Sequence, residues 1–172
     1  MIQINIIIEG IDGSGKTTAI NLLQEFLEKP IVKGSDFSHA AQGNTYLYNK
    51  FFKLTELDNT IFDRSHISNL VYASIYKNYA ILNDEQVSKI ETRLKNKSIA
   101  FYLSADLDII EKRIISRGDA YVKADKLEEI RNKYEDVLND SNLDFIKINT
   151  SYSYPLEVVK EIMHHAGFSA NS

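Results

Sequence analysis

The residues with the clearest chemistry form a glycine-rich loop between Gly10 and Thr17. Its sequence, GIDGSGKT, fits the pattern G-x-x-x-x-G-K-[ST] at every position. In this pattern the glycines let backbone N–H groups surround a phosphate, Lys16 reaches the transferred end of a triphosphate, and the Thr17 hydroxyl is offered to Mg²⁺. The loop therefore predicts a site for ATP and Mg²⁺. The residues predicted here to bind the nucleotide are Gly10, Asp12, Gly13, Ser14, Gly15, Lys16, Thr17 and Thr18.

A second group of polar residues, DRSHISNLVY, begins at Asp63 and runs from the end of a strand into a helix. Helical spacing places Ser68, Asn69 and Tyr72 on one face, just beyond Arg64. A guanidinium suits a two-point grip on a phosphate, and a hydroxyl, a carboxamide and a ring suit the edge and face of a base. Asp63 is placed to act as a general base or to hold Mg²⁺ through water. The plainer alternatives are that a serine here caps the helix and that Tyr72 belongs to the core.

The elements that must position these groups alternate between short β-branched stretches and longer amphipathic stretches. This alternation predicts one α/β domain over residues 1–172, with a parallel sheet between two layers of helices. The predicted strands are 2–8, 31–33, 60–63, 98–103 and 145–148. The predicted helices are 16–29, 45–57, 66–79, 84–95, 106–117, 124–139 and 156–165. Ligands of such sheets bind at the carboxyl ends of the strands, where both polar groups lie.

Composition narrows the class of protein. The chain has 172 residues, a length that suits one domain, and its net charge of −4 argues against broad electrostatic binding to nucleic acid. It contains no Cys, so neither disulfides nor thiolate metal sites can form, and a reducing compartment is favoured. The apolar stretches are too short for a signal peptide or a membrane span, so a cytoplasmic location is expected.

The two polar groups together resemble the thymidylate kinase family. The segment EGIDGSGKTT, from Glu9 to Thr18, resembles that family's phosphate-binding loop, and the second group resembles its D-R-x-x-x-S-x-x-x-[YF] segment. The resemblance implies a three-layer P-loop kinase fold and an ATP- and Mg²⁺-dependent nucleoside monophosphate kinase. It also implies that one set of residues binds the phosphoryl acceptor: Asp12, Arg64, Ser68, Asn69 and Tyr72.

A third, weaker match lies between Arg113 and Tyr134. The spacing of Arg113 and Arg117 resembles an arginine-bearing lid over ATP, here residues 117–126, in which either arginine neutralises charge in the transition state. The resemblance implies that Arg113 contacts ATP and that Arg117 joins Lys16, Asp63 and Arg64 in catalysis. A solvated helix face is the alternative for the arginines, and core packing is the alternative for Tyr134, which resembles a tyrosine that closes the base pocket.

The chain departs from the family in having no Arg between residues 31 and 62. An acceptor that carries a phosphate needs positive charge, and Lys33, at the end of a strand, could supply it. Otherwise the acceptor is a nucleoside or an altered nucleotide. Four aromatic residues are candidate stacking surfaces for a base, although such residues often belong to the core: Phe37, Tyr46, Tyr48 and Phe51. His66 is a candidate hydrogen-bond partner for the substrate.

The leading functional hypothesis is phosphorylation of a (deoxy)nucleoside monophosphate. The nearest alternative is a deoxynucleoside kinase, distinguished by whether the acceptor pocket can bind a phosphate. A kinase that acts on nucleic acid is less favoured at this net charge, and a nucleotide-dependent regulator would need no acceptor pocket. Relatives in the family are often dimers, so the resemblance implies a homodimer by analogy.

Overall fold

The computed structural model describes residues 3–34, 37–119 and 124–168, in which strands and helices alternate along the chain. The strands are β1 (Asn5–Gly10), β2 (Ile31–Lys33), β3 (Ile61–Asp63), β4 (Ser98–Ser104) and β5 (Phe145–Asn149). The helices are α1 (Lys16–Leu27), α2 (Phe37–Ala40), α3 (Asn44–Leu54), α4 (His66–Ile75), α5 (Asp84–Leu94), α6 (Leu107–Ser116), α7 (Ala124–Asp140) and α8 (Pro155–His165).

The five strands form one parallel sheet in the order β2-β3-β1-β4-β5. Strand β1 is central and pairs with β3 on one side, where Ile8 lies opposite Asp63, and with β4 on the other. The carboxyl end of β1 therefore brings the glycine-rich loop next to Asp63. The predicted sheet of five parallel strands is confirmed.

Helices cover both faces of the sheet because successive residues of a strand point to opposite sides. Ile6 and Ile8 of β1 are buried beneath α1 and α8, whereas Ile7 is buried beneath α3 and α5. A further apolar cluster joins α4, α6 and α7. The predicted three-layer α/β architecture is thus confirmed. Within the described ranges, none of the helices is long and apolar enough to cross a membrane.

The largest boundary error of the sequence prediction concerns α4, which ends at Ile75 and not at residue 79. Asn69, on α4, donates from Nδ2 to the Ala80 carbonyl (2.9 Å) and accepts at Oδ1 from the Leu82 N–H (3.1 Å). These two bonds hold the following segment in a path that a continued helix could not take. The predicted helix 45–57 is shorter in the structure, as α3, and α2 was not predicted.

Candidate functional site

The loop between β1 and α1 has the backbone shape that its glycines predict. Gly13 and Gly15 have φ values of +85° and +87°, in the left-handed region that glycine adopts without strain. A Cβ at Gly10 would lie 2.6 Å from the Leu103 carbonyl oxygen, so a side chain there has no room. Gly15 caps α1 without a side-chain hydrogen bond, which leaves the first N–H groups of that helix free for an anion.

A cavity of about 640 Å³ lies over this loop. Its lining includes seven of the residues predicted to bind the nucleotide: Asp12, Gly13, Gly15, Lys16, Thr17, Thr18 and Arg113. Gly10 and Ser14 are absent from the lining, since Gly10 ends β1 and Ser14 is fully buried. These two residues shape the loop from beneath. We call this space the donor cavity, after the phosphate donor that the sequence predicts to bind there.

Lys16 and Asp63 form an ion pair at the floor of the site, with 2.6 Å between Lys16 Nζ and Asp63 Oδ1. Lys16 is 8% exposed and Asp63 is 21% exposed. The pair forms because β1 and β3 are parallel neighbours whose carboxyl ends meet at one edge of the sheet. The two residues predicted from separate motifs are therefore in direct contact.

Arg113 fastens the loop to the end of β5. Its Nη1 donates to the Gly13 carbonyl (3.0 Å) and to Thr150 Oγ1 (3.1 Å), and its Nη2 donates to the Thr150 carbonyl (2.7 Å). Thr150 Oγ1 in turn donates to the Ser14 carbonyl (2.7 Å). Burial, together with the nearby charge of Arg117, lowers the pKa of Arg113.

Arg117 also lines the donor cavity but is exposed, with a long bond of 3.3 Å from its Nε to the Arg113 carbonyl. The two arginines that the sequence could not separate thus differ, because one is held by the protein and the other is accessible from solvent. Of the predicted lid, residues 117–126, positions 120–123 lie outside the described residues.

A second cavity of about 340 Å³ adjoins the first, and we call it the acceptor cavity, after the phosphoryl acceptor that the sequence predicts to bind there. The structure brings all seven predicted substrate-binding residues to its lining: Asp12, Lys33, Phe37, Arg64, Ser68, Asn69 and Tyr72. Three further residues, Ala40, Ala73 and Tyr79, complete the lining and were not predicted. Asp12 lines both cavities, so the two spaces meet beside the glycine-rich loop.

Arg64 lies in the turn from β3 to α4, where it adopts a left-handed φ of +71°. A non-glycine residue in this region costs on the order of 1 kcal/mol and persists where the surroundings hold it. Its Nη1 donates to Ser68 Oγ (3.1 Å) and to the Tyr134 hydroxyl (2.8 Å), and its Nη2 donates to Asp12 Oδ1 (2.7 Å). The strained backbone thus aims the guanidinium at the junction of the two cavities.

The charge of Arg64 is secured by its surroundings. Burial by itself lowers the pKa of the guanidinium, whereas four oxygen-bearing side chains raise it. These are, in order of effect, Tyr134, Tyr72, Glu9 and Asp12. The raising effect is larger, so the pKa lies above its usual range and the side chain stays cationic.

Glu9 is a site residue that the sequence analysis did not assign. Its carboxylate is fully buried and accepts hydrogen bonds from the N–H and hydroxyl of Ser65, from the N–H and hydroxyl of Ser68, and from the Tyr134 hydroxyl. Glu9 therefore ties the end of β1 to the first turn of α4, behind Arg64. A carboxylate directly after three apolar residues, 6–8, was the available signal, since a buried charge must find partners.

Asn69 and Tyr72 lie on the face of α4 that the spacing predicted, but their environments differ from the expectation. Both ends of the Asn69 carboxamide are hydrogen-bonded to the backbone of Ala80 and Leu82, so this side chain holds a segment of chain. The Tyr72 hydroxyl is enclosed and makes no hydrogen bond of normal geometry with the residues that the structure describes. Burial raises the pKa of Tyr72 to about 12, and Arg64 opposes that rise.

Other candidates lie away from both cavities. Phe51 is 4% exposed and belongs to the core, and the Tyr46 ring packs near His39 with 6.1 Å between centroids. His66 is fully buried, and its Nε2 lies 3.0 Å from Glu91 Oε1. The predicted contact of His66 with a substrate is wrong, because the ring is enclosed by protein.

Comparison with known proteins identifies the family through a close relative, although no family model matches the chain. The SPbeta prophage-derived uncharacterized protein YorR of Bacillus subtilis strain 168 is 39% identical over 158 residues, which cover 92% of this chain and 96% of YorR. The crystal structure of YorR in complex with phosphorylated GDP superposes with a TM-score of 0.91 at 37% identity, covering 95% of each chain.

More distant similarities agree with this fold. A "probable thymidylate kinase" of Methanocaldococcus jannaschii is 27% identical over 177 residues, which cover 92% of this chain and 93% of that protein. The structure of deoxyadenosine kinase from M. mycoides with bound dCTP has a TM-score of 0.64 at 16% identity, covering 95% of this chain and 99% of that one. This chain therefore belongs to the family of YorR and has the α/β fold of the P-loop kinases.

Proposed function

We propose that this protein transfers the terminal phosphoryl group of ATP to a (deoxy)nucleoside monophosphate, within one P-loop kinase domain. The observation that carries the proposal is the pair of adjoining cavities that share Asp12. Lys16 lines the first and Arg64 lines the second, so each cavity presents a cation near the junction. A regulator that only binds ATP would not need the second cavity.

On the donor side, the open N–H groups of the loop and the Lys16 ammonium bind the triphosphate. Lys16 is paired with Asp63 at 2.6 Å and exchanges part of that contact for phosphate oxygens when ATP binds. Thr17, exposed in the donor cavity, and Asp63 have the oxygen ligands that suit Mg²⁺, which keeps several waters and uses few protein ligands. When bound there, Mg²⁺ supplies neutralisation of phosphate charge. Arg117, accessible at the cavity edge, supplies further positive charge as the phosphoryl group moves.

On the acceptor side, Arg64 grips the acceptor phosphate, and Lys33 lies exposed at the carboxyl end of β2 on the same lining. In the reaction, an oxygen of the acceptor phosphate bonds to the γ-phosphorus, the bond to the β–γ bridging oxygen breaks, and ADP leaves with that electron pair. Catalysis consists of positioning and charge neutralisation, since the protein forms no covalent bond.

The state of the carboxylates supports a monophosphate acceptor. A nucleoside hydroxyl must lose a proton during transfer, whereas a phosphate oxygen is already anionic. Asp63 lines neither cavity and is paired with Lys16, and Asp12, at the junction, is paired with Arg64, so both carboxylates are held in ion pairs. An acceptor that needs no general base is therefore favoured.

A deoxynucleoside kinase is the second candidate, and one observation favours it. Arg64 already has a carboxylate partner in Asp12, and the other cation on the acceptor lining, Lys33, lies at its exposed rim. Under this alternative, Asp63 or Asp12 leaves its ion pair and accepts the proton of the hydroxyl.

The test is transfer of a radiolabelled γ-phosphate from ATP, or from GTP in parallel, to a panel of nucleosides and nucleoside monophosphates. Guanine compounds belong in the panel because the relative YorR was crystallised with phosphorylated GDP. We expect labelled diphosphates from the monophosphates. Labelled monophosphates alone would establish the second candidate, and release of free phosphate with every acceptor would contradict both.

A further inference from the structure

Three polar side chains that line the acceptor cavity, Arg64, Ser68 and Asn69, are already hydrogen-bonded to the protein, whereas the Tyr72 hydroxyl makes no hydrogen bond of normal geometry among the described residues. Ser68 Oγ donates to Glu9 Oε2 (2.6 Å), and the Arg64 guanidinium is bonded to Ser68, Tyr134 and Asp12. Such groups hold the phosphate end of the cavity in shape. A base edge that needs donors and acceptors would have to displace these bonds.

Asn69 shows this most clearly, because its carboxamide has both a donor and an acceptor to offer a base. Its Nδ2 donates to the Ala80 carbonyl (2.9 Å), and its Oδ1 accepts from the Leu82 N–H (3.1 Å). The side chain is 5% exposed. Its hydrogen bonds therefore fix the chain that runs from Tyr76 to Leu82, at the end of α4.

That fixed chain carries Tyr79, whose ring together with the Phe37 ring forms what we call the aromatic wall of the acceptor cavity. The Tyr79 ring lies 4.9 Å from the Phe37 ring, centroid to centroid, and both residues line the acceptor cavity. The Phe37 ring also meets Tyr72 (5.9 Å) and Tyr76 (6.4 Å) edge to face. Phe37 is 48% exposed, which leaves apolar ring surface facing solvent. An exposed aromatic surface in a cavity suits the flat face of a base.

We propose that the acceptor base stacks against Phe37 and Tyr79, and that Asn69 is a positioning residue for residues 76–82, which carry Tyr79. The site consequently accepts purine and pyrimidine bases with little discrimination. The proposal rests on the proposed function, whose acceptor it describes. Stacking is tolerant because every base has an aromatic face, whereas a site that hydrogen-bonds its ligand rejects analogues that lack the matching group.

The test is calorimetric binding of the four common 2′-deoxynucleoside 5′-monophosphates, with the four nucleosides in parallel. For the unmodified protein we expect the four dissociation constants of one series to agree within about tenfold. Tyr79→Leu removes the ring and should weaken all four by about tenfold or more. Tyr79→Phe keeps the ring and should weaken them less. Tyr46→Leu, an exposed tyrosine outside the cavity lining, is the matched control and should bind as the unmodified protein does.

Two further variants separate positioning from base recognition. Asn69→Ala should shift the four constants in parallel, because the wall moves for every base alike. Tyr72→Phe, which removes the enclosed hydroxyl, should leave their ratios unchanged. Thermal unfolding shows whether each variant folds, and Phe37→Leu replaces Tyr79→Leu if the latter does not.

A preference of about a hundredfold for one base, lost in Asn69→Ala, would overturn the proposal, since it would make the carboxamide a base reader. So would an unchanged affinity in Tyr79→Leu. These binding experiments do not depend on turnover, so they test the stacking site independently of the proposed function. Four similar affinities, together with no labelled product in the transfer assay, would refute phosphoryl transfer but would still support the stacking site.

Discussion

Under the proposed function, the two cavities recognise phosphate in different ways. The donor cavity uses the backbone of one continuous loop together with a single buried ammonium, Lys16. The acceptor cavity uses side chains from several elements, and its guanidinium, Arg64, is bonded to three of them. This difference predicts how far the effect of a substitution in each cavity should extend. Changes on the donor side should stay local, whereas changes on the acceptor side should spread through the hydrogen-bonded group around Glu9.

The largest effect is expected at Lys16. Lys16→Ala should reduce kcat by about 100- to 1,000-fold while the protein remains folded, because the ammonium acts on charge that develops at the phosphoryl group. Steady-state kinetics and circular dichroism check this. Lys89→Ala, which breaks an exposed pair with Glu85, is the control. Normal turnover by folded Lys16→Ala protein would refute the mechanism.

The next effect separates the two cavities. Arg64→Met should weaken binding of a monophosphate acceptor by roughly 30-fold, or about 2 kcal/mol, through loss of a charge-assisted contact. Calorimetry should show little change in ATP affinity. Arg93→Met is the control, since this guanidinium lies over the Phe52 ring and lines neither cavity. Equal losses of affinity for ATP and for the acceptor would show that Arg64 contacts the phosphate donor.

A smaller effect should distinguish the two arginines of the donor cavity. Arg113→Met removes bonds to Gly13 and Thr150, so it should weaken ATP binding by about tenfold and lower Tm. Arg117→Met should lower kcat and leave Tm unchanged, because this side chain is exposed. Kinetics and thermal unfolding of the two variants show which arginine stabilises the loop and which one acts in phosphoryl transfer. A lower Tm in Arg117→Met, with an unchanged Tm in Arg113→Met, would show that Arg117 is the structural arginine.

The smallest effect lies outside both cavities. Burial would raise the pKa of Glu91, but hydrogen bonds from His66, Ser141 and the Asn142 N–H hold it below its ordinary value of 4.5. Because this folded-state pKa is lowered, the stabilisation is complete above about pH 4.5 and is lost as the pH falls through the folded-state value. Glu91→Gln should cost about 1 kcal/mol at pH 7.

Urea unfolding at several pH values measures that cost. The gap between the unmodified protein and Glu91→Gln should narrow below about pH 4.5. A gap that widens in acid would mean that the carboxyl group is protonated in the folded protein. His66→Gln should lower the free energy of unfolding by a similar amount, about 1 kcal/mol at pH 7, with no change in the affinity for ATP.

The same contrast explains what the sequence could predict. The donor loop is continuous, so its residues, its glycine conformations and the strand and helix around it follow from spacing alone. Seven of the ten residues that line the acceptor cavity were also predicted, and three of these, Ser68, Asn69 and Tyr72, follow from helical spacing. The hydrogen bonds that Asn69 and Glu9 make in the structure were not predictable from the sequence. Asn69 meets the backbone of residues 80 and 82 only after α4 ends early, and Glu9 meets α4 only through the sheet order.

Tyr79 escaped prediction for a related reason. The predicted helix 66–79 would place Tyr79 two turns beyond Tyr72, about 10 Å farther along the helix axis. The structure instead places it in an irregular segment that lines the acceptor cavity. Arg113 and Arg117 were distinguishable only once Thr150 was in place. Contacts between distant segments decide each of these roles, and no local pattern encodes them.

The proposed function requires that donor and acceptor bind at once, in two cavities that meet at Asp12. The most direct test is binding of adenosine joined through five phosphates to a deoxynucleoside, measured by calorimetry and by displacement. One molecule should bind per chain and should displace both ATP and the monophosphate acceptor, with weaker binding in Lys16→Ala and in Arg64→Met. Displacement of ATP alone, with no effect of Arg64→Met, would contradict the account.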